Sequence, residues 1–166
     1  MARIRSRDTG PELAVRRALH AAGLRYRLHV RGMPGTPDMV LPGQRAVVEV
    51  RGCFWHQHPG CRNARLPATR RDYWLPKLAR TVERDRAVEG ALQATGWTVL
   101  VAWGCEVRCR DFLAGLMERV RAIPRLPRNR LQLLKRRTPQ ACAQGVRLLK
   151  NALRLSDRTQ HPERFA

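Results

Sequence analysis

The stretch VEVRGCFWHQHPGC, from Val48 to Cys61, constrains the fold more than any other part of the sequence. It begins as an apolar strand and then places two cysteines, two histidines and two large aromatic residues in one short segment. Thiolate and imidazole groups at this spacing suit tetrahedral zinc. We therefore expect a metal ion to fix the chain just after this strand. The candidate ligands within the segment are Cys53, His56, His58 and Cys61.

A tetrahedral site that takes three ligands from this segment needs a fourth from elsewhere in the chain. Cys105 is the best candidate, because it follows a predicted strand that ends at Trp103 and neighbouring strand ends converge on one edge of a sheet. A closed site of three cysteines and one histidine would be structural and would leave the other histidine free for chemistry. The alternative is a set of small buried cysteines with exposed imidazoles and no metal.

The composition favours an anionic polymer as the partner of a single domain. The chain has 166 residues, and 33 Lys and Arg against 13 Asp and Glu give a formal charge of +20. Most of the basic residues are arginines, which suit the recognition of phosphate and guanine. The alternative is an arginine-rich surface that only keeps the protein in solution.

The sequence also indicates where the protein works. It has no apolar run long enough to cross a membrane, and its amino terminus has no apolar leader segment. We therefore expect a cytoplasmic protein without membrane contact. Our further expectations are association with the nucleoid and a monomeric state. The five cysteines favour metal ligation or free thiols over a disulfide framework, because their number is odd and no signal peptide precedes them.

Local patterns predict a mixed α/β fold, with the last strand in the centre of the sheet. The predicted elements are a helix from the capping segment at Asp8 to about Ala22, strands Tyr26–Val30, Met39–Leu41 and Ala46–Val50, a helix from Asp72 to about Thr95, a strand Trp97–Trp103 and a helix from about Arg110 to Ala122. The long helix is expected to face the core with Leu75, Leu78, Val82, Val88 and Leu92.

The composition changes near residue 124, where prolines and a dense run of basic residues begin. We therefore divide the chain into a compact domain, residues 1–123, and a basic carboxy-terminal extension, residues 124–166. The extension is predicted to be partly helical or flexible, or to fold against nucleic acid.

Two acidic residues lie on neighbouring strands of the predicted hairpin. Asp38 opens one strand and Glu49 lies in the next, with the turn near Pro42 and Gly43. Two carboxylates that share an edge repel each other, and a divalent cation relieves this repulsion while activating water. Oxygen ligands suit Mg²⁺, so a phosphodiester nuclease is a natural hypothesis. The alternative is a turn aspartate beside an unrelated surface glutamate.

Longer motifs carry a resemblance to a known family. Pro37-Asp38 followed by Glu49-Val50-Arg51 resembles the PD-(D/E)xK nuclease pattern, with arginine in place of lysine. The segments GCFWHQHPGC, PATRRDYWLPKLARTVERD and GWTVLVAWGC, with RDTGPE near the start, are similar in content and order to the motifs of the Vsr family, the very-short-patch-repair endonucleases. The resemblance covers about residues 5 to 120.

This resemblance implies a fold and an activity. The expected fold is a restriction-endonuclease-like α/β core, in the order helix, three-stranded β-meander, helix, strand, with a structural zinc site. The expected enzyme is a Mg²⁺-dependent DNA endonuclease that nicks one strand beside a thymine mispaired with guanine, the lesion left when 5-methylcytosine deaminates. Its substrate would be double-stranded DNA with a mismatch, and mismatch-repair proteins are possible partners.

The resemblance also implies roles for individual residues. Asp38 matches the aspartate that binds magnesium, His56 the histidine proposed to activate water, and Glu12 a helix glutamate near the active site. The matching Zn²⁺ ligands are Cys53, His58, Cys61 and Cys105, and the matching aromatics that wedge into the base stack are Phe54, Trp55 and Trp74. Insertion of aromatic rings costs least at a poorly paired step. Alternatively, these rings only cover the zinc or the core.

Two departures from the family pattern lie side by side. Arg51 stands where the family usually has a histidine, and Glu49 stands where it usually has an apolar residue. Arginine can bind a phosphate but cannot shuttle protons. Our hypothesis is that Asp38, Glu49 and the Val50 carbonyl hold magnesium. In it, His56 acts as the base and Arg51 binds phosphate.

Two alternatives to mismatch nicking remain. One is a restriction-like endonuclease of the same fold with another DNA target, which the segment from Glu49 to Arg51 favours. The other is a DNA-binding module with weak or no catalysis, which Arg51 and the net charge favour. Comparison of matched with mismatched duplexes separates the first alternative, and steeply salt-dependent binding without nicking would identify the second.

Overall fold

The computed structural model describes residues 7–127, which form three α-helices and one four-stranded sheet. The mixed α/β class and the predicted order of helices and strands are confirmed. The elements are α1 (Gly10–Ala21), β1 (Arg27–Leu28), β2 (Met39–Leu41), β3 (Ala46–Arg51), α2 (Arg71–Ala94), β4 (Thr98–Trp103) and α3 (Arg110–Ala122), with short 3₁₀ turns at Arg62–Ala64 and Glu106–Arg108. Nearly all of the predicted basic extension lies outside the described residues. In the part described, no helix is both long and apolar enough to cross a membrane.

The sheet combines a meander with one crossover. Strands β1, β2 and β3 pair antiparallel, whereas β4 pairs parallel to β3 and forms the opposite edge from β1. The predicted central position of β4 is therefore wrong, and β2 and β3 are the inner strands of the sheet. Helix α2 supplies the crossover that a parallel pair requires.

Strand β1 is much shorter than the prediction for Tyr26–Val30. Only Arg27 and Leu28 pair with β2, and both are exposed rather than alternately buried. His29 has a φ of +44°, which takes the chain out of the extended conformation. The alternating segment Tyr26–Val30 therefore forms only a short edge strand, after which the chain bends at His29.

The two faces of the sheet pack against different helices. Residues Met39, Leu41, Ala46, Val48, Leu100 and Ala102 pack with Val15 and Leu19 of α1 and with Leu116, Met117 and Val120 of α3. On the other face, Val40 and Val47 pack with Leu92 of α2, and Val88 and Trp97 lie against them. Alternate residues of β3 therefore face different helices, as the pleat of a strand requires.

Helix α2 buries only part of its predicted inward stripe. Leu78 and Leu92 are buried and Val82 and Val88 are half-buried, but Leu75 is 47% exposed, so its predicted core position is wrong. The 24 residues of α2 span roughly 36 Å, whereas the six residues of β3 span about 20 Å. The first turns of the helix therefore have no sheet beneath them.

The loop before β2 lies tightly on α2. Gly35 has a φ of +69°, and a Cβ placed there would come within 2.4 Å of Val88 Cγ1. Only glycine combines this backbone conformation with this close approach. The contact fixes the chain three residues before Asp38, the first acidic residue of the predicted site.

Candidate active site

The β2–β3 hairpin brings the first two predicted site residues to the same end of the sheet. Met39 pairs with Val48, so Asp38 and Glu49 follow in register on the two strands. The Val50 N–H donates to Asp38 Oδ2 at 2.9 Å. Burial raises the pKa of Asp38 against this hydrogen bond, and the negative charge of Glu12 raises it further. Burial also raises the pKa of Glu49, with smaller contributions from the charges of Asp38 and Asp85.

Arg51 forms an ion pair with Glu49 at the end of β3. Its Nη2 and Nε donate to Glu49 Oε2 at 2.6 and 3.1 Å, and Nη2 also lies 3.3 Å from Glu89 Oε2 of α2. The Arg51 and Glu49 side chains are only 12% and 15% exposed. The guanidinium therefore supplies a positive charge to a carboxylate-rich region in which ionisation is otherwise costly.

His56 contacts a residue that the sequence patterns did not single out. Its Nδ1 forms a short hydrogen bond with Asp85 Oδ2, across the space between the loop after β3 and helix α2. Burial acts to raise the pKa of Asp85, but the hydrogen bond to His56 and the positive charges of His56, Arg51 and Arg84 together outweigh burial, so the pKa of Asp85 is lowered. The only sequence signal for Asp85 is its place in the charged run Glu83-Arg84-Asp85-Arg86, which looks like a solvent-facing segment.

Four predicted metal ligands lie together where β3 and β4 end. The Sγ atoms of Cys53, Cys61 and Cys105 and one ring nitrogen of His58 are all within 4.8 Å of one another. His58 Nδ1 lies 3.3 Å from Cys105 Sγ, and Cys61 Sγ lies 3.9 Å from Cys105 Sγ. Two sulfurs on a tetrahedral zinc are about 3.8 Å apart, so the donor set and its size both fit Zn²⁺.

The surroundings of this cluster hold the His58 ring in place and shift the pKa values of two of the thiols in opposite directions. The His58 ring stacks on Trp103 with centroids 4.2 Å apart and an angle of 8°. Burial and the neighbouring thiols raise the pKa of Cys105 to about 11, whereas the Asn63 backbone lowers the pKa of Cys61. Neighbouring thiolates repel one another, so the fully ionised cluster requires a cation.

The three predicted DNA-wedging aromatics form one half-buried group. The Phe54 ring lies 5.1 Å from Trp55 and 5.3 Å from Trp74, both edge to face, and the two tryptophans are 5.9 Å apart. Lys77 Nζ lies over both tryptophan rings at 5.7 and 5.5 Å. The group thus carries a cation at its solvent side, as a surface that meets a nucleic acid should.

Glu12 is held inside a network at the start of α1. Thr9 caps the helix and its hydroxyl donates to Glu12 Oε1 at 2.8 Å, while the Asp8 N–H donates to Oε2 at 3.0 Å. Buried Arg16 donates to the same Oε2 at 2.9 Å, forms a short ion pair with Asp8 and lies 3.4 Å from His29 Nε2. The Glu12 carboxylate therefore accepts hydrogen bonds from Asp8, Thr9 and Arg16. It influences Asp38 through its negative charge.

Two members of the network, Arg16 and His29, had no role in the sequence patterns. Arg16 is only 7% exposed and Glu12 only 5%. His29 adds a positive electrostatic influence on Asp38, which favours the ionised carboxylate. A basic residue on an amphipathic helix is ordinarily solvent-facing, so the burial of Arg16 has no signature in the sequence.

Comparison with known proteins gives a consistent result. The model of the family described as DNA mismatch endonuclease Vsr matches residues 1–62. Type II nicking enzyme V.XorIIP of Xanthomonas oryzae pv. oryzae is 52% identical over 107 residues, 64% of this chain and 78% of the relative. DNA mismatch endonuclease Vsr of Escherichia coli K12 is 42% identical over 113 residues, 68% and 72% of the two chains. Type II nicking enzyme V.NmeAIP of Neisseria meningitidis is 37% identical over 125 residues, 73% and 89%.

Replacement of Arg16 tests the network around Glu12. Arg16→Ala leaves a buried carboxylate without its cation, so we expect a loss of about 3 kcal/mol in the free energy of unfolding, measured in urea. Arg17→Ala, at the exposed neighbouring position, should change it by less than about 0.5 kcal/mol. Equal effects of the two changes would contradict the network.

Proposed function

The chain belongs to the Vsr family of DNA endonucleases, and from that premise we propose that it nicks one strand of duplex DNA at T:G mispairs in very short patch repair. The observation that best supports the proposal is that β3 and the loop that follows it join three groups in one short segment: the acidic hairpin, part of the aromatic group and the His56–Asp85 pair. The relative from E. coli is named a DNA mismatch endonuclease, which supports the mismatch as the target.

Magnesium is the proposed cofactor of the hairpin acids. Asp38, Glu49 and the Val50 carbonyl would hold it, and the donor set of hard oxygens fits. Glu49 uses only Oε2 for Arg51, so Oε1 is available to the ion. When bound, the ion stabilises negative charge on the phosphodiester and on its attacking water. Burial disfavours the charges of Asp38 and Glu49 and raises their pKa values, so a cation between them would offset the cost of ionising both carboxyl groups.

His56 is the proposed general base. The hydrogen bond between Nδ1 and Asp85 favours the tautomer with its proton on Nδ1, which leaves Nε2 to accept a proton from water. Asp85 then stabilises the imidazolium that forms. The His56 N–H also donates to the Gly52 carbonyl at 3.0 Å, so the backbone that carries the imidazole is held as well.

Recognition of the mispair is assigned to the aromatic group. Phe54 and Trp55 lie on a loop bounded by metal-ligand candidates, and Trp74, the fourth residue of α2, contacts both rings. Rings on a fixed loop can enter a base stack without prior rearrangement, and a mispaired step opens most cheaply. Lys77 would keep the phosphate backbone close to the inserted rings.

Zinc is proposed as a structural ion at Cys53, His58, Cys61 and Cys105. Three thiolates and one imidazole fill its four positions and leave none for water, so the ion would stabilise the loop without taking part in hydrolysis. The loop that it closes carries both His56 and the wedge residues Phe54 and Trp55.

A second candidate is a nicking activity on another DNA target. It is favoured by the relatives from X. oryzae and N. meningitidis, which are named type II nicking enzymes. The two candidates share the hydrolytic site and differ in the duplex that is opened. Cleavage rates on T:G and T:A duplexes of the same sequence separate them, since only the first candidate requires the mispair.

Asp38 tests the metal-dependent mechanism. With Mg²⁺, the wild-type protein should nick a T:G duplex, and Asp38→Ala should reduce the single-turnover rate roughly a thousandfold, because a Lewis acid is worth several kcal/mol. Asp111→Ala, an exposed aspartate at the start of α3, is the matched control and should keep the wild-type rate. Near wild-type nicking by Asp38→Ala would refute the role.

Trp55 tests insertion into the base stack. A 2-aminopurine beside the T:G pair should brighten when the wild-type protein binds, and Trp55→Ala should remove most of this signal and weaken mismatch binding about tenfold. Trp97→Phe is the control, because Trp97 packs in the core with Val40 and Val47. An unchanged signal in Trp55→Ala would show that the ring only covers the loop.

Cys105 tests the zinc site. The purified protein should contain one tightly bound zinc per chain, and Cys105→Ser should lose it together with several kcal/mol of stability. Cys109→Ser changes an exposed cysteine outside the cluster and should retain both. Elemental analysis measures the zinc content, and thermal denaturation measures the stability. Full zinc content in Cys105→Ser would show that Cys105 is not the fourth zinc ligand.

A further inference from the structure

The two residues that depart from the family pattern at the end of β3 are bonded to each other. Arg51 occupies the position of the usual histidine and Glu49 that of the usual apolar residue, and both Nε and Nη2 of Arg51 donate to Glu49 Oε2. Either residue alone would place a poorly compensated charge in a largely buried position. Together they form a compact ion pair, so the two departures belong together.

Helix α2 completes this pair with a third residue. Glu89 Oε2 accepts from Arg51 Nη2 at 3.3 Å, and the Glu89 side chain is 33% exposed. Asp85, one turn earlier on the same face of α2, bonds His56. The same face of α2 therefore places Asp85 against His56 and Glu89 against Arg51. The proposed function gives a role to both His56 and Arg51.

In the part of the chain that the structure describes, the hydrogen bonds of Arg51 involve Nε and Nη2 but not the second amino group, Nη1. Nε and Nη2 are taken by the two glutamates, whereas Nη1 makes no hydrogen bond to any residue between 7 and 127. The guanidinium fork presents five N–H donors in a fixed plane, so fixing one edge also fixes where the other amino group points. An arginine held in this way loses less freedom when it binds an anion.

We propose that Glu89 is a positioning residue, which holds Arg51 with Glu49 so that Arg51 Nη1 can bind the phosphodiester. The inference rests on the proposed nuclease function. It also explains what replaces the family's histidine, because an arginine cannot move a proton and can only stabilise charge. Proton transfer is then left to His56 and its partner Asp85, and phosphate binding to Arg51 and its partner Glu89.

The charges of the region support this division. Asp38, Glu49 and Asp85 interact electrostatically, and Glu89 adds a fourth carboxylate beside a single guanidinium. Such a surface attracts a divalent cation but repels a phosphate. A fixed arginine beside the acids offers the phosphate a positive contact, and the acids prevent the arginine from turning to solvent.

Single-turnover nicking of a T:G duplex tests the role of Glu89. Glu89→Ala should lower the rate at saturating protein roughly tenfold and change DNA affinity less than twofold, because many other basic residues also hold the DNA, whereas the placed guanidinium stabilises charge that develops in the transition state. Glu89→Gln keeps an acceptor and should recover part of the rate. Glu83→Ala, at an exposed glutamate of the same helix, is the matched control and should match the wild type.

A double variant shows whether Glu89 acts through Arg51. In an Arg51→Ala background, Glu89→Ala should cause no further loss, since the group that it positions is gone. Losses that multiply would overturn the proposal, and so would a wild-type rate in the single variant Glu89→Ala.

An NMR measurement separates this inference from the proposed function. The Arg51 Nε–H signal, assigned with Arg51→Lys, should be protected from exchange in the wild type and exchange at least several times faster in Glu89→Ala. If the wild-type protein nicks no duplex, the proposed function fails, and the NMR result still decides whether Glu89 holds Arg51. An unchanged exchange rate would overturn the positioning role.

Discussion

The parallel pairing of β3 with β4 is the constraint on which the candidate site depends. Arg51 lies opposite Trp103, and the Gly104 N–H donates to the Arg51 carbonyl at 2.9 Å, so both strands end at the same level. The loop after β3 therefore lies beside the chain after β4. Cys105 can then lie beside Cys53, His58 and Cys61 of the loop after β3. Stacking of Trp103 on His58 then fixes the imidazole in the same place.

The site concentrates negative charge in a protein whose net charge is +20. Acidic side chains come from three sources: the hairpin, helix α1 and one face of α2. Burial makes each ionised carboxylate costly, and the site offsets this cost with Arg16 on one side and Arg51 on the other. A divalent cation between them would complete the balance, while the net positive charge of the chain would favour approach of the DNA backbone.

Sequence patterns predicted the parts of this structure that depend on local chemistry. The start of α1 was predicted from its capping segment, the hairpin from two apolar runs joined by Pro42 and Gly43, and the ligand cluster from the spacing of its cysteines and histidines. The polar residues that face inward were not predicted. Asp85, Glu89 and Arg16 resemble solvent-facing charges on their helices, because periodicity identifies the inward side of a helix by its apolar residues only. Their partners become visible only when the helices are docked on the sheet.

The length of the sheet explains the remaining errors. The strand predicted for Tyr26–Val30 shortens because pairing stops at His29, where the chain leaves the extended conformation, and Leu75 is exposed because α2 continues past the sheet. Neither outcome depends on the residues themselves, since alternation and helical spacing were both present. Both depend on where a neighbouring element ends, which no local pattern records.

We infer that a metal-held loop keeps His56 against Asp85 in a nuclease that opens mispaired DNA. The most direct test is single-turnover nicking of a T:G duplex, in excess Mg²⁺, before zinc removal, after removal and after zinc is restored. We expect nicking to disappear when zinc is removed, to return when zinc is restored, and to stay far slower on T:A throughout. Nicking that persists without zinc, or proceeds equally on both duplexes, would contradict this inference.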